Sequence, residues 1–144
     1  MNDDTGSGAD HIGWLLWRAA MIWKERFAEE MVRAGHAWYA EARSSVVPYV
    51  GPDGTRQAEL VRRMGLTKQA VQQLVDDLER EGVVLRLPDP HDQRAKIVAF
   101  TGKGLAARRD AERIKRTIEA DWRRRLGADD MAQLERLLRG IEDG

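Results

Sequence analysis

At 144 residues the chain fits one domain, since single domains typically hold roughly 100–200 residues. It has no cysteine, which excludes disulfides, thiolate catalysis, cysteine redox sensing and thiolate metal sites. Its 24 Lys and Arg balance 24 Asp and Glu to a formal net charge of zero, so any attraction for a polyanion must come from the arrangement of charges rather than from a basic surplus.

No apolar run reaches the roughly 18 residues that a membrane helix needs, and the most apolar stretch, from Trp14 to Trp23, is interrupted by Arg18. The first ten residues, MNDDTGSGAD, are acidic and small. They lack the basic start and apolar middle of a signal peptide and read as a disordered tail, with a cytoplasmic address expected.

Residues 11–34 carry Ile12, Leu16, Ala19, Trp23, Phe27 and Met31 at steps of three and four, the helical period. A second stripe holds Trp14, Trp17 and Met21, and a helix apolar on two faces must be covered on both. A second copy of the chain is the most economical cover. Gly35 ends this helix as a C-cap. Residues 36–45, with Trp38 and Tyr39, read as a shorter second helix, and Pro48, Gly51, Pro52 and Gly54 mark a turn-rich connection.

Thr55 is expected to cap a third helix, with Ala58, Leu60, Val61 and Met64 apolar and Gly65 as its end. Thr67, two residues later, caps a fourth helix over 68–81, with Ala70, Val71, Leu74, Val75 and Leu78 apolar and Gly82 as its stop. Two helices joined by so tight a turn form a helix-turn-helix.

Beyond Gly82 the pattern changes. Residues 83–87 and 96–100 are short aliphatic and β-branched runs separated by Pro88-Asp89-Pro90. They predict a hairpin with a long polar tip over 89–94, and a hairpin directly behind a helix-turn-helix is a wing. Thr101 caps a long fifth helix with the seam Ala107, Ala111, Ile114, Ile118, Trp122 and Leu126. After Gly127 a last helix opens on Asp129 and Asp130, which suit the positive end of a helix dipole, and it carries Met131, Leu134, Leu137, Leu138 and Ile141.

Two stretches resemble the MarR family of winged-helix regulators. One runs Thr55-Arg56-Gln57-Ala58-Glu59-Leu60 through Leu66-Thr67-Lys68-Gln69-Ala70-Val71 to Leu78-Glu79-Arg80-Glu81-Gly82. The other is Pro88-Asp89-Pro90-His91-Asp92-Gln93-Arg94-Ala95-Lys96, ending at Phe100-Thr101-Gly102-Lys103-Gly104. The spacing Asp92-x-Arg94 followed by Thr101 and Gly104 is similar to the family's wing motif.

The resemblance implies a mainly α fold with a small β-hairpin wing. Its winged helix-turn-helix lobe spans 54–100, between dimerisation helices at 11–46 and 101–144, in a single domain over 11–144. It further implies that Asp92 orients an arginine and holds the wing tip. The chain departs from the common pattern by carrying Gln72 and Gln73 where many members have Ser and Arg, and Asp76 and Asp77 after them.

On a helix that starts at Thr67, the residues Lys68, Gln69, Gln72 and Gln73 share the face opposite Val71, Leu74 and Leu78. Thr67 and the free N–H groups of the first turn suit a phosphate, and the glutamine amides match the donor and acceptor on an adenine edge in the major groove. Arg94 is placed to reach a minor groove, whose negative potential favours a guanidinium. His91 and Gln93 are further wing contacts, and Arg62, Arg63, Arg86 and Lys96 are candidate phosphate partners.

Asp89, His91 and Asp92 have metal-ligand chemistry, but the polar tip of a wing accounts for them equally well, and no metal or cofactor is expected. No Gly-rich phosphate loop and no Ser/His/Asp constellation is visible, so no enzyme is expected. The resemblance also implies a small aromatic effector. Its candidate lining is Trp14, Trp17, Trp38 and Tyr39, with Arg18 or His36 to meet a carboxylate.

The expected function is a homodimeric, sequence-specific regulator of transcription, expected to repress from a near-palindromic duplex operator and to be released by such an effector. The alternative is a ligand-binding or protein-interaction module on a winged-helix scaffold, suggested by the zero net charge and distinguished by a failure to bind any duplex even at low salt.

Overall fold

A computed structural model describes residues 11–144; the tail expected at 1–10 lies outside them. Helix α1 spans Ile12–Arg33 and is followed by two short 3-10 stretches, Ala37–Ala40 and Ala42–Tyr49. Strand β1 is Thr55–Arg56, α2 is Gln57–Met64 and α3 is Lys68–Glu81. Strands β2, Val84–Asp89, and β3, Asp92–Phe100, precede the long α4, Gly102–Leu126, and α5, Ala128–Glu142. The architecture is mainly α with a small antiparallel sheet, as the sequence implies.

The chain divides into two compact units. One joins the stretch ending at Phe27 to Glu112–Gly144, and the other is Ala28–Ala111. In the first, Trp23 stacks on Phe27 with ring centroids 5.2 Å apart, Arg26 pairs with Asp121, and Ile114, Ile118 and Met131 are buried. The second holds the helix-turn-helix and the sheet. Its core includes Trp38, Val47, Leu60, Val71, Leu78 and Val98. Burying a side chain of this size contributes about 1.5–3 kcal/mol.

Four local expectations are corrected. Residues 36–45 do not form an α-helix. Pro48 cannot donate to an i−4 carbonyl, and the Ser44 hydroxyl bonds the Glu41 carbonyl at 2.7 Å, competing with the helical ladder. The tighter 3-10 form results.

Thr55 does not cap the next helix. It lies in β1, where its Oγ1 accepts from Gly51 N–H at 2.9 Å and donates to the Tyr49 carbonyl at 3.2 Å. Arg56 occupies the N-cap of α2 and makes no side-chain cap there.

The wing has no long loop. Its strands continue to Asp89 and Asp92, which pair across a turn whose tip is Pro90 and His91. Asp89 Oδ1 accepts from His91 N–H at 2.8 Å and Asp92 Oδ1 from Arg94 N–H at 3.0 Å, so carboxylates hold a tight turn where a long polar tip is expected from the sequence.

The sheet has three strands, not two, in the order β1-β3-β2, all antiparallel. Pro88 is tolerated because β2 is an edge strand, where one face of the ladder needs no N–H donor. Residues Gly65 and Gly82 adopt left-handed backbone at φ +65° and +80° and end α2 and α3. Only two residues, Leu66 and Thr67, separate Gly65 from the start of α3.

Candidate nucleic-acid interface

Thr67 has extended backbone, and its side chain accepts from Ala70 N–H at 3.1 Å, which leaves other first-turn N–H groups of α3 without intrahelical partners. Val71, Val75 and Leu78 are buried, and this places Lys68, Gln69, Gln72 and Gln73 on the exposed side of α3. These four side chains therefore share one exposed polar face of α3.

Across from it the wing exposes His91, Asp92, Gln93, Arg94 and Lys96. A cleft of about 420 Å³ opens in this unit, lined by Arg56, Gln57, Lys68, Asp92, Arg94 and Lys96, with Ala58, Val61 and Ala95 beneath. Four cations face one carboxylate. The structure thus brings the amino-terminal end of α3 and the wing arginine to a single basic groove.

Charge arrangement compensates for the neutral composition. Many acidic residues of this lobe are engaged within the protein: Asp76 and Glu79 with Arg86, Asp77 with Arg80, Glu81 with Arg43 and Lys103, and Asp89 with Arg56. Among the described residues no carboxylate pairs with Lys68, Arg94 or Lys96. Their charge is left to the groove.

The other expected phosphate partners differ from one another. Arg62 is held by Glu59, with Nε 3.0 Å from Oε2 and a second contact to Oε1. The guanidinium's hydrogen bond holds the Glu59 carboxyl below the usual carboxylate range, and Glu59 in turn raises Arg62. Arg63 lies over the Tyr49 ring, 5.8 Å from its centroid. Arg86 is only 17% exposed and enclosed by partners.

Sequence reasoning missed Arg56 and Asp89. The Asp89 side chain is 1% exposed, with Oδ2 2.6 Å from Arg56 Nε. One signal was present: an aspartate between two prolines in a wing is a turn-former, and a buried one needs a cation. Asp92 meets the Arg94 backbone, and the carboxylate that meets a guanidinium at the wing is Asp89.

The candidate effector residues fall in separate units. Trp14 and Trp17 are exposed on α1 and stack with centroids 5.1 Å apart, and Arg18 beside them is exposed. In the other unit Trp38 is 2% exposed and tilts against Tyr39, while His36 Nε2 lies 2.8 Å from Asp110 Oδ2. The buried Trp38 Nε1 and His36 Nδ1 make no hydrogen bond. Among the described residues no helix is long and apolar enough to cross a membrane.

A helix-turn-helix followed by an antiparallel hairpin, with long helices before and after it in the chain, defines a winged helix-turn-helix protein. Residues 49–95 match the model of the MarR family. The chain is 26% identical to a MarR-family transcriptional regulator from Rhodococcus sp. RHA1, over 95% of this chain and 96% of that one, with a TM-score of 0.67.

It is 26% identical to the transcriptional repressor CouR bound to a 23-mer DNA duplex, over 99% of both chains, with a TM-score of 0.74. It is 28% identical to CouR from Rhodococcus jostii RHA1 bound to p-coumaroyl-CoA, over 92% of both chains, with a TM-score of 0.65. No curated protein matches. The chain is thus similar over nearly its whole length to transcriptional regulators of this family, and the match to the family model falls on its helix-turn-helix and wing.

Proposed function

We propose that the protein is a homodimeric repressor that reads a near-palindromic duplex operator. The observation that carries the reading is the groove in which Lys68, Arg94 and Lys96 stand without acidic partners beside the exposed glutamines of α3. Lys68 and the first-turn N–H groups meet phosphate, Gln69, Gln72 and Gln73 read base edges in a major groove, and Arg94 enters the adjacent minor groove. His91, Gln93, Lys96, Arg62 and Arg63 add backbone contacts, and Asp92 keeps the Arg94 backbone in place. CouR, a relative of the same fold, is bound to duplex DNA.

The dimer rests on apolar side chains left in water: Ile12, Leu15, Leu16 and Ile22 of α1, and Leu137 and Ile141 of α5, are 38–71% exposed. Surfaces of this kind mark partner contacts. Two recognition helices then enter successive major grooves, about 34–36 Å apart. A small aromatic effector releases the DNA. Trp14, Trp17 and Arg18 of α1 and, separately, Trp38 and Tyr39 of the other unit are candidate contacts for one, and CouR has been captured with p-coumaroyl-CoA.

The test is selection of random duplexes by the purified protein at low and physiological salt. Enrichment of a palindromic consensus that is lost in Arg94→Ala and Gln72→Ala supports the reading. No enrichment at either salt removes duplex DNA as the partner.

A further inference from the structure

Arg86 is the most heavily engaged cation of the DNA-reading lobe, and all of its engagement is internal. It sits on β2, and its side chain connects three elements. Its Nε donates to Gln57 Oε1 at 2.9 Å, in the first residue of α2. One terminal nitrogen donates to the Gln72 backbone carbonyl at 3.3 Å, and the other lies 2.7 Å from Asp76 Oδ1 and 3.5 Å from Glu79 Oε1. Glu79 also accepts the Arg86 backbone N–H at 3.1 Å, closing a loop between α3 and the strand.

The planar fork of an arginine is what allows one side chain to meet four groups in fixed directions. A guanidinium turned out to a phosphate would have to leave Asp76 and Glu79, so its own partners oppose that role. The carbonyl it grips belongs to Gln72, one of the residues proposed to read bases.

We propose that Arg86 is a positioning residue for base readout: it locks the register of α3 against α2 and the sheet at Gln72 and makes no phosphate contact. The inference rests on the operator-reading function. It also gives the acidic Asp76 of α3 a definite task. Base discrimination requires the reading side chains to be held within about 0.5 Å, and a loosened α3 keeps its phosphate contacts while its base contacts blur.

The experiment measures the affinity of the full-length protein for its selected duplex and for a scrambled duplex of equal length, across a salt series. Arg86→Met and Arg86→Lys are expected to lower the specific-to-non-specific ratio about tenfold, the loss of roughly one good base contact. The slope of log affinity against log salt is expected to stay at the wild-type value. A slope smaller by about 0.9 identifies a phosphate contact and overturns the proposal.

A folded variant that keeps the wild-type ratio also overturns it. Should Arg86→Met fail to fold by circular dichroism, Glu79→Gln, at a half-exposed position, tests the same lock; a smaller loss of ratio is expected, and an unchanged ratio overturns the proposal. A wild-type protein that does not discriminate the two duplexes sinks the operator-reading function, and this inference with it. A wild type and variants that discriminate equally well sink the inference alone.

Discussion

Arg56 and Asp89 face each other across the central strand of the wing sheet, Nε 2.6 Å from Oδ2, with the carboxylate almost sealed from water. The other carboxylate oxygen of Asp89 holds the His91 backbone N–H. One side chain therefore ties β2 to β1 and shapes the wing turn. Removing the cation leaves a buried carboxylate uncompensated, while Arg56 itself is half exposed and can be rehydrated. Arg56→Ala is accordingly expected to cost about 1–3 kcal/mol, and Asp89→Asn, which keeps the turn's acceptor, about 1 kcal/mol. Urea unfolding of both variants checks the order; an Arg56→Ala protein as stable as wild type would refute the latch.

This pair also marks where sequence reading stopped. The helix-turn-helix was legible because Gly65, Thr67 and Gly82 punctuate it with local chemistry that needs no tertiary partner. The apolar period of α3 then fixed which side would carry Gln69, Gln72 and Gln73. The third strand was not legible, since Thr55 and Arg56 are too short a run to show a period and are drawn into the sheet by Val98 and Ile97. At Arg86 the cationic character is visible in the sequence, while its partners, as far as 29 residues away at Gln57, are not.

Gly104 reports on how closely α4 is laid against the start of β2. A Cβ built there would lie 2.1 Å from the Val83 carbonyl oxygen and 2.9 Å from Phe100 Cδ1. The backbone at Val83 cannot yield, because its carbonyl also accepts Thr101 N–H at 3.0 Å. Gly104→Ala gains up to about 1 kcal/mol of helix propensity but must displace α4, which costs about 1–3 kcal/mol or more. The net is destabilising. Thermal unfolding is expected to show a lower midpoint, and a raised midpoint would mean that the helix has room.

Under the proposed function, Glu59 competes with DNA for Arg62. The pair is exposed and adds little to folding, but its protonation sets when the guanidinium is available. Arg62 depresses the carboxyl pKa, so whatever the pair contributes is present above the unfolded carboxylate pKa and is lost only as pH falls through the lower folded value. Across the neutral range the pair stays ionised and gives binding no pH dependence. Glu59→Gln is expected to tighten non-specific duplex binding a few-fold and to steepen the salt slope by up to about 0.9. If Arg62 points away from the duplex, titrations of the variant and wild type will superimpose.

Under the proposed function, Gln73 and Asp77 bear on which bases can be read. Gln73 Nε2 donates to Asp77 Oδ1 at 3.0 Å, and Asp77 is held by Arg80. An ionised carboxylate accepts only, so the amide nitrogen must be the end turned toward it and the oxygen end is left to accept. In a major groove that oxygen suits the exocyclic amine of adenine or cytosine and opposes the O6 of guanine or the O4 of thymine. Among the described residues Gln69 and Gln72 have no such side-chain lock, so either amide end can be presented. Asp77→Ala frees the amide to turn over, so duplex selection with this variant should broaden the preference at one base pair per half-site and leave the others sharp. An unchanged consensus would show that Gln73 reads no base, and a general loss of sharpness would assign Asp77 to holding the helix instead.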